Sequence, residues 1–248
     1  MPVLISTVFS KDLIVRLDGE EGMKTSREKG EVDVIIRADD VTIEGSLVAP
    51  EGAKGVVLFA HGSGSSRFSP RNRYVASVLQ RERFATLLMD LLTKDEERID
   101  MLTAEFRFDT EMLSNRLLHA TEWVRGNVET RNLAIGYFGA STGAAAAIIA
   151  AAKNPNNVQA IVSRGGRPDL AINYISKVEA PTLLIVGGND VPVIKMNEQA
   201  LKYLHAVKKI EVVPGASHLF EEPRALEEVA KLATAWFNRY LMRTTGKG

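Results

Sequence analysis

The chain contains no cysteine among its 248 residues. That absence excludes a disulfide framework, a thiolate metal site and a cysteine nucleophile, and it is consistent with a cytoplasmic protein. An excess of one charge is also lacking, because 31 Lys and Arg residues balance 31 Asp and Glu residues. The overall charge therefore favours neither a nucleic acid nor an anionic membrane as a partner.

Long apolar runs are missing as well. No stretch approaches the roughly 18 apolar residues of a membrane span. Asp12 and Asp18 interrupt the N-terminal apolar runs and no small-residue cleavage site follows, so no signal peptide is predicted. The chain does have the 45% hydrophobic and 25% charged residues of an ordinary globular core and surface. We expect a small molecule as its partner, and a homodimer stays open.

Strand and helix patterns alternate along most of the chain. Two strand patterns at 32–37 and 41–48 predict an antiparallel N-terminal hairpin. A continuous apolar run at 56–60 is typical of a buried parallel strand, and further strand patterns follow at 84–89, 133–138, 158–162, 181–186 and 209–213. This alternation predicts an α/β fold with a mostly parallel central sheet and helices on both faces. We divide the chain into an N-terminal extension, residues 1–30, at an edge or mobile, and one α/β domain, residues 31–248.

Helical patterns lie between these strands and after them. A helix is predicted to open at Ser69-Pro70, and others to cover about 110–125, 197–207 and 223–241. The segment 93–100 is dense in charge, and we interpret it as a solvated excursion from the domain. Whether residues 92–109 fold over the site stays open.

The most informative motif is Gly139-Ala140-Ser141-Thr142-Gly143, which fits the pattern G-x-S-x-G. It lies between an apolar strand pattern and an alanine-rich helix pattern, the context that a nucleophile elbow requires. Ser141 would stand at the helix N-terminus, where free N–H groups and the helix dipole favour a nearby anion. The alternative is a strand–helix turn that carries an idle serine.

Asp190 and His218 follow two later strands in glycine-containing turns. Ligands of an open α/β sheet bind at the carboxyl ends of its strands, so these side chains should converge there. A serine nucleophile needs a base, and an imidazole base needs a carboxylate to orient it. The order Ser141, Asp190, His218 therefore predicts a catalytic triad, with Asp169 as the reserve acid.

Acyl transfer also needs N–H donors for the oxyanion. The backbone of Thr142, directly after the nucleophile, supplies one. The loop His61-Gly62-Ser63-Gly64 follows an early strand and supplies the second, for which we favour Ser63. His61 itself is interpreted as a structural residue beneath this loop, and Asp90 as a carboxylate that orients it.

Several arginines follow the same strand ends. Arg67 and Arg164 are candidates for binding a carboxylate or phosphate of the substrate, since guanidinium groups bind such anions bidentately. Pairing with nearby acids is the alternative for both. For Arg71 and Arg73, which lie on a predicted helix, pairing with acids or solvent is favoured.

Four motifs in order carry a family resemblance: His61-Gly-Ser-Gly, Gly139-Ala-Ser-Thr-Gly, Gly187-Gly-Asn-Asp and Gly215-Ala-Ser-His. Over about residues 32 to 243 the chain resembles the dienelactone-hydrolase-like branch of the α/β-hydrolase superfamily. The resemblance implies an α/β-hydrolase fold and a Ser141/Asp190/His218 hydrolase of esters or lactones, with no metal and no organic cofactor. Dienelactone hydrolases proper use a cysteine nucleophile, so the serine here favours a carboxylesterase. The chain also resembles hydrolase domains fused to phosphoribosyltransferases, although no phosphoribosyltransferase segment is visible.

The function predicted from these observations is a serine hydrolase that cleaves small soluble carboxylic esters or lactones through an acyl-enzyme. An acyltransferase with the same triad and a non-catalytic scaffold used for binding are the alternatives.

Overall fold

The computed structural model describes residues 30–241. All but the last residue of the predicted N-terminal extension, and the end of the predicted domain after residue 241, lie outside the described residues. Within the described range, the elements form one layered unit built on a single sheet.

Eight strands of the described range form this sheet, in the order β1-β2-β4-β3-β5-β6-β7-β8. β2 runs antiparallel to both of its neighbours, and the strands from β4 across to β8 are parallel. The mostly parallel sheet and the N-terminal hairpin are therefore confirmed. The strands are β1 (Val32–Ala38), β2 (Val41–Val48), β3 (Gly55–Ala60), β4 (Ala85–Met89), β5 (Ala134–Ala140), β6 (Ala160–Arg164), β7 (Thr182–Gly187) and β8 (Lys208–Val213).

Helices cover both faces of the sheet, as the alternating pattern predicts. They are α1 (Pro70–Arg81), α2 (Lys94–Thr103), α3 (Thr110–Gly126), α4 (Thr142–Lys153), α5 (Ile172–Ile175), α6 (Val191–Tyr203) and α7 (Ala225–Tyr240). None of the helices within residues 30–241 is long and apolar enough to cross a membrane.

The core is divided by the sheet into two layers. In β3, Val56 and Leu58 face the layer that holds α3 and α4, while Val57 and Phe59 face α1 and α7. All four side chains are fully buried or nearly so. Burial of each such side chain is worth about 1.5–3 kcal/mol, so both layers hold β3 in place at the centre of the sheet.

Most of the charged segment 93–100 forms the start of α2, and most of its side chains are exposed, as expected of a solvated segment. Thr93 and Glu96 form a capping box at the start of α2, in which each side chain accepts a hydrogen bond from the other residue's backbone N–H. At the other end, the carboxylate of Asp100 accepts bonds from the backbone N–H groups of Phe106 and Arg107, at 2.9 and 2.8 Å. These caps stabilise a short helix that has little apolar surface of its own.

The helix predicted over 197–207 begins earlier and ends earlier. α6 starts at Val191, directly after Asp190, with Pro192 in its first turn. Proline is favoured there because its fixed φ suits a helix and its missing N–H has no partner to lose. The helix ends at Tyr203, and the chain is extended at Leu204.

Candidate active site

Ser141 stands in a sharp turn between β5 and α4, with φ 51° and ψ −119°. A Cβ on Gly139 would lie 2.4 Å from Ala144 Cα, and one on Gly143 only 2.2 Å from Ala60 O. Because neither position has room for a side chain, both glycines of the motif are needed for the turn to form. The backbone N–H of Ser141 donates to Arg164 O at 3.2 Å, which ties the turn to the end of β6.

Asp190 and His218 meet at the same edge of the sheet. His218 Nδ1 lies 2.6 Å from Asp190 Oδ2, with the carboxylate side chain 13% exposed and the imidazole 39%. A carboxylate acceptor at this distance holds the proton on Nδ1 and leaves Nε2 with a free lone pair. This is the tautomer that a general base needs.

The two loops that carry this pair are bonded to each other. Asn189 donates from its backbone N–H to Ala216 O at 2.9 Å and from Nδ2 to Gly215 O at 2.8 Å. Gly187 has no room for a Cβ, which would lie 2.5 Å from Ala216 O. The close approach of the loops therefore depends on glycine and brings Asp190 within reach of His218.

The imidazole of His218 also packs against the end of β6, which accepts the hydrogen bond from the Ser141 N–H. Gly165, the residue after β6, adopts φ +52°, and a Cβ there would lie 3.4 Å from His218 Cε1. No hydrogen bond joins His218 to Ser141 in the part of the chain that the structure describes. Bonds between a nucleophile and its base are often long until substrate binds, so the lack of this bond does not exclude the proposed pair.

Ser63 and Thr142, the expected oxyanion donors, lie side by side. Their hydroxyl oxygens are 3.1 Å apart, which brings the loop after β3 against the start of α4. Thr142 is the first residue of α4, so its N–H has no partner within the helix. The two expected donor residues are therefore neighbours, and Thr142 follows Ser141 directly in the chain.

His61 lies beneath this loop as a structural residue. Its Nδ1–H donates to Gly62 O and its Nε2 accepts from the Leu91 N–H, each at 2.9 Å. Burial lowers the pKa of His61, which keeps the ring neutral and both bonds in place. Asp90 also has the expected role, because its carboxylate accepts from the Arg67 N–H at 2.7 Å.

Comparison with known proteins identifies the family of this chain. Residues 43–242 match the dienelactone hydrolase family. The chain belongs to that family. A dienelactone hydrolase from Anabaena variabilis is 59% identical, with a TM-score of 0.84 over 85% of this chain and 98% of that one. An α/β serine hydrolase of Xanthomonas campestris is 18% identical over 89% of this chain and 99% of that one, with a TM-score of 0.68, and it shares the fold.

Two longer relatives come from Mycobacterium tuberculosis and are provisionally named phosphoribosyl transferases. They are 54% identical over 209 residues, which is 84% of this chain but 46% of theirs. The chain therefore spans about half the length of these relatives, and their name belongs to the longer proteins.

The arginines of this family member differ in their surroundings. The guanidinium of Arg67 pairs with Asp90 and, at 2.6 Å, with Glu44. A substrate role for Arg67 remains a prediction, and a substrate anion would have to compete with two carboxylates there. Arg164 makes no ion pair within residues 30–241, and its buried Nε has no hydrogen-bond partner there.

The reserve acid lies apart from the pair. The carboxylate of Asp169 accepts two hydrogen bonds from the guanidinium of Arg167, one from Nε at 2.9 Å and one from Nη2 at 2.7 Å. The imidazole of His218 bonds to Asp190 instead. Among the described residues, no cluster of three or more histidine or acidic side chains is arranged to hold a metal ion.

A cavity of about 470 Å³ opens next to the oxyanion donors. Ser63 and Thr142 belong to its wall, and α2 contributes Lys94, Glu97 and Met101 to the same lining. Residues of the segment 92–109 thus line a cavity that reaches Thr142, the residue after Ser141. The sequence leaves open whether residues 92–109 cover the site, although the pattern Thr93-x-x-Glu96 is a capping-box signal for a helix there.

Proposed function

We propose that this member of the dienelactone hydrolase family is a serine hydrolase that cleaves carboxylic esters or lactones of small substrates. The observation that supports this most is the Asp190–His218 hydrogen bond of 2.6 Å at the edge of the sheet where Ser141 stands in its elbow. For the longer mycobacterial relatives, we assign the hydrolase chemistry to the half that they share with this chain.

In the proposed reaction, His218 Nε2 takes the proton of Ser141 Oγ as the oxygen attacks the ester carbonyl. The backbone N–H groups of Thr142 and Ser63 stabilise the tetrahedral oxyanion. His218 then gives the proton to the departing alcohol, which leaves an acyl group on Ser141. Water, deprotonated by the same imidazole, releases the acid and restores the serine. Asp190 keeps the imidazole oriented and stabilises its protonated form.

The test is the hydrolysis of short-chain 4-nitrophenyl esters by the wild type and by Ser141→Ala. We expect the substitution to lower kcat by at least about 1,000-fold, because the acyl-enzyme can no longer form. Ser77→Ala is the matched control, since this hydroxyl lies on α1 and bonds only to Tyr74 O and Arg81 within the described range. Full activity of Ser141→Ala would contradict the proposal.

A further inference from the structure

Asn197 lies near the middle of α6 and is fully buried. Asparagine is a weak helix former, and a buried amide loses its hydrogen bonds to water. Its Nδ2 donates to Val193 O at 2.8 Å and to Gly166 O at 3.0 Å, whereas its Oδ1 has no hydrogen-bond partner within residues 30–241. The bond to Val193 stays within the helix. The bond to Gly166 is therefore the one by which this side chain joins α6 to another part of the molecule.

The backbone after β6 holds the elbow from both sides. The Ser141 N–H donates to Arg164 O at 3.2 Å, and the Ser141 carbonyl accepts from the Arg167 N–H at 3.1 Å. Gly166 lies between these two attachment points, and its carbonyl is the one that Asn197 binds. A displacement of Gly166 would therefore be transmitted to the backbone of Ser141.

The same backbone contacts the proposed base. Gly165 adopts φ +52°, and a Cβ there would lie 3.3 Å from His218 O and 3.4 Å from His218 Cε1. Gly166 has no room for a side chain, because a Cβ there would overlap Ser163 Oγ. The two glycines allow this close approach, but they bring no side chains that could fix the backbone by packing. The amide of Asn197 supplies a hydrogen bond in their place.

α6 also carries the third member of the proposed triad. Asp190 directly precedes the helix, and its carbonyl accepts the Ile194 N–H at 3.0 Å. Asn197 follows two helical turns later, so the two residues lie on the same side of the helix, about 10 Å apart along its axis. One helix thus presents the carboxylate that binds His218 and the amide that binds Gly166.

We propose that Asn197 is a positioning residue of the hydrolase, whose bond to Gly166 O fixes the backbone that holds Ser141 beside His218. This inference rests on the proposed hydrolase function. Asn197 does not line the cavity described above, so it acts on the reaction through Gly166 and without touching the substrate. Proton transfer from Ser141 to His218 needs hydrogen-bond distance, and a displacement of about 1 Å can lower the rate roughly 100-fold.

The first test compares the hydrolysis of a short-chain 4-nitrophenyl ester by the wild type and by Asn197→Leu. Leucine has nearly the same size and no polar atom, so it removes the bond to Gly166 and fills the same space. We expect kcat and kcat/KM to fall together by about 10- to 100-fold, with KM within about threefold of the wild-type value. An unchanged kcat would overturn the proposal. If Asn197→Leu fails to fold, Asn197→Ala removes the same bond and carries the same expectation.

Ala200→Gly separates positioning from the stability of α6. Ala200 is buried on the same helix, and glycine there weakens the helix but leaves the bond between Asn197 and Gly166 intact. We expect this variant to have a lower Tm than the wild type and the same kcat at a temperature where it is folded. An equal loss of kcat in Ala200→Gly and Asn197→Leu would overturn the proposal, because helix stability alone would then explain the effect.

A second readout, amide hydrogen exchange measured by mass spectrometry, does not depend on turnover. Peptides that contain Ser141 or Arg167 should exchange at least about tenfold faster in Asn197→Leu than in the wild type or in Ala200→Gly. Faster exchange in Asn197→Leu, together with a wild type that cleaves no ester, would support the contact and contradict the proposed hydrolase. Ester hydrolysis with equal kcat and equal exchange in the wild type and Asn197→Leu would overturn the role of Asn197 alone.

Discussion

At Ser141 the backbone adopts a conformation that favours glycine, and yet the position holds a side chain. Its φ of 51° lies in the left-handed region, where a non-glycine residue costs about 1–3 kcal/mol. Two hydrogen bonds hold the turn in place. The Ser141 N–H donates to Arg164 O, and the Arg167 N–H donates to Ser141 O at 3.1 Å. Backbone strain of this kind is common at active sites and ligand-binding sites.

We expect Ser141→Gly to be more stable than Ser141→Ala, by about 1 kcal/mol. Glycine relieves the strain at positive φ, and this outweighs the larger entropy that it gives the unfolded chain. Urea unfolding of the two variants measures the difference. A Ser141→Gly protein that is less stable than Ser141→Ala would show that the turn is not strained.

Some residues of the candidate site follow from sequence and others do not. Asp190 and His218 could be placed together because each comes directly after a strand, and parallel strands end at one edge. The pairing of Arg67 with Glu44 could not be anticipated, because Glu44 lies within β2 and resembles any outward-facing polar residue of a strand. The unpaired state of Arg164 likewise depends on which acids the fold brings near.

Among the elements, the strands were easier to predict than α2. Continuous apolar runs mark the buried strands, whereas α2 is held by its caps and by side-chain bonds rather than by an apolar face. The strand order could not be predicted from the sequence either, because β4 lies between β2 and β3 through pairings that no local pattern encodes.

The hydrogen bonds that Asp100 accepts at the end of α2 should weaken in acid. Burial raises the pKa of Asp100, but bonds from Arg107 and Phe106 outweigh it and hold that pKa below its ordinary value of 3.8. Because the pKa of Asp100 is lower in the folded state, its ionised carboxylate contributes its full stabilisation at pH values above the ordinary pKa. This stabilisation is lost as the pH falls through the pKa of the folded state. We expect Asp100→Asn to reduce the free energy of unfolding by about 1–3 kcal/mol at pH 7.

Urea unfolding of the wild type and of Asp100→Asn between pH 7 and pH 3 measures the difference between their free energies of unfolding. This difference should become smaller below about pH 4. A gap that stays constant over that range would contradict a role for the ionised carboxylate.

A second prediction at the scale of the element concerns the turn between β5 and α4. Gly143→Ala should lower the free energy of unfolding by at least about 2 kcal/mol and abolish hydrolysis, because its Cβ would meet Ala60 O and His61 O. Gly126→Ala is the matched control, since it has no atom within 4 Å of the added Cβ and ends α3. It should be neutral or slightly stabilising. Equal effects of the two substitutions in thermal unfolding would contradict this packing.

At the scale of the whole molecule, the sheet determines where the chemistry can occur. β3, β5, β6, β7 and β8 run parallel, so the loops that follow them meet at one edge. These loops carry Ser63, Ser141, Gly165, Asp190 and His218, which lie far apart in sequence. The order of these parallel strands thus brings together the proposed nucleophile, base and carboxylate and the proposed N–H donors.

The most direct test of the central claim is intact-protein mass spectrometry after incubation with a fluorophosphonate. An activated serine forms a covalent adduct with this reagent, whereas an ordinary hydroxyl does not react. The account predicts one adduct on the wild type, located at Ser141, none on Ser141→Ala and much slower labelling of His218→Ala. A wild type that stays unlabelled, or a Ser141→Ala protein labelled at the same rate, would contradict it.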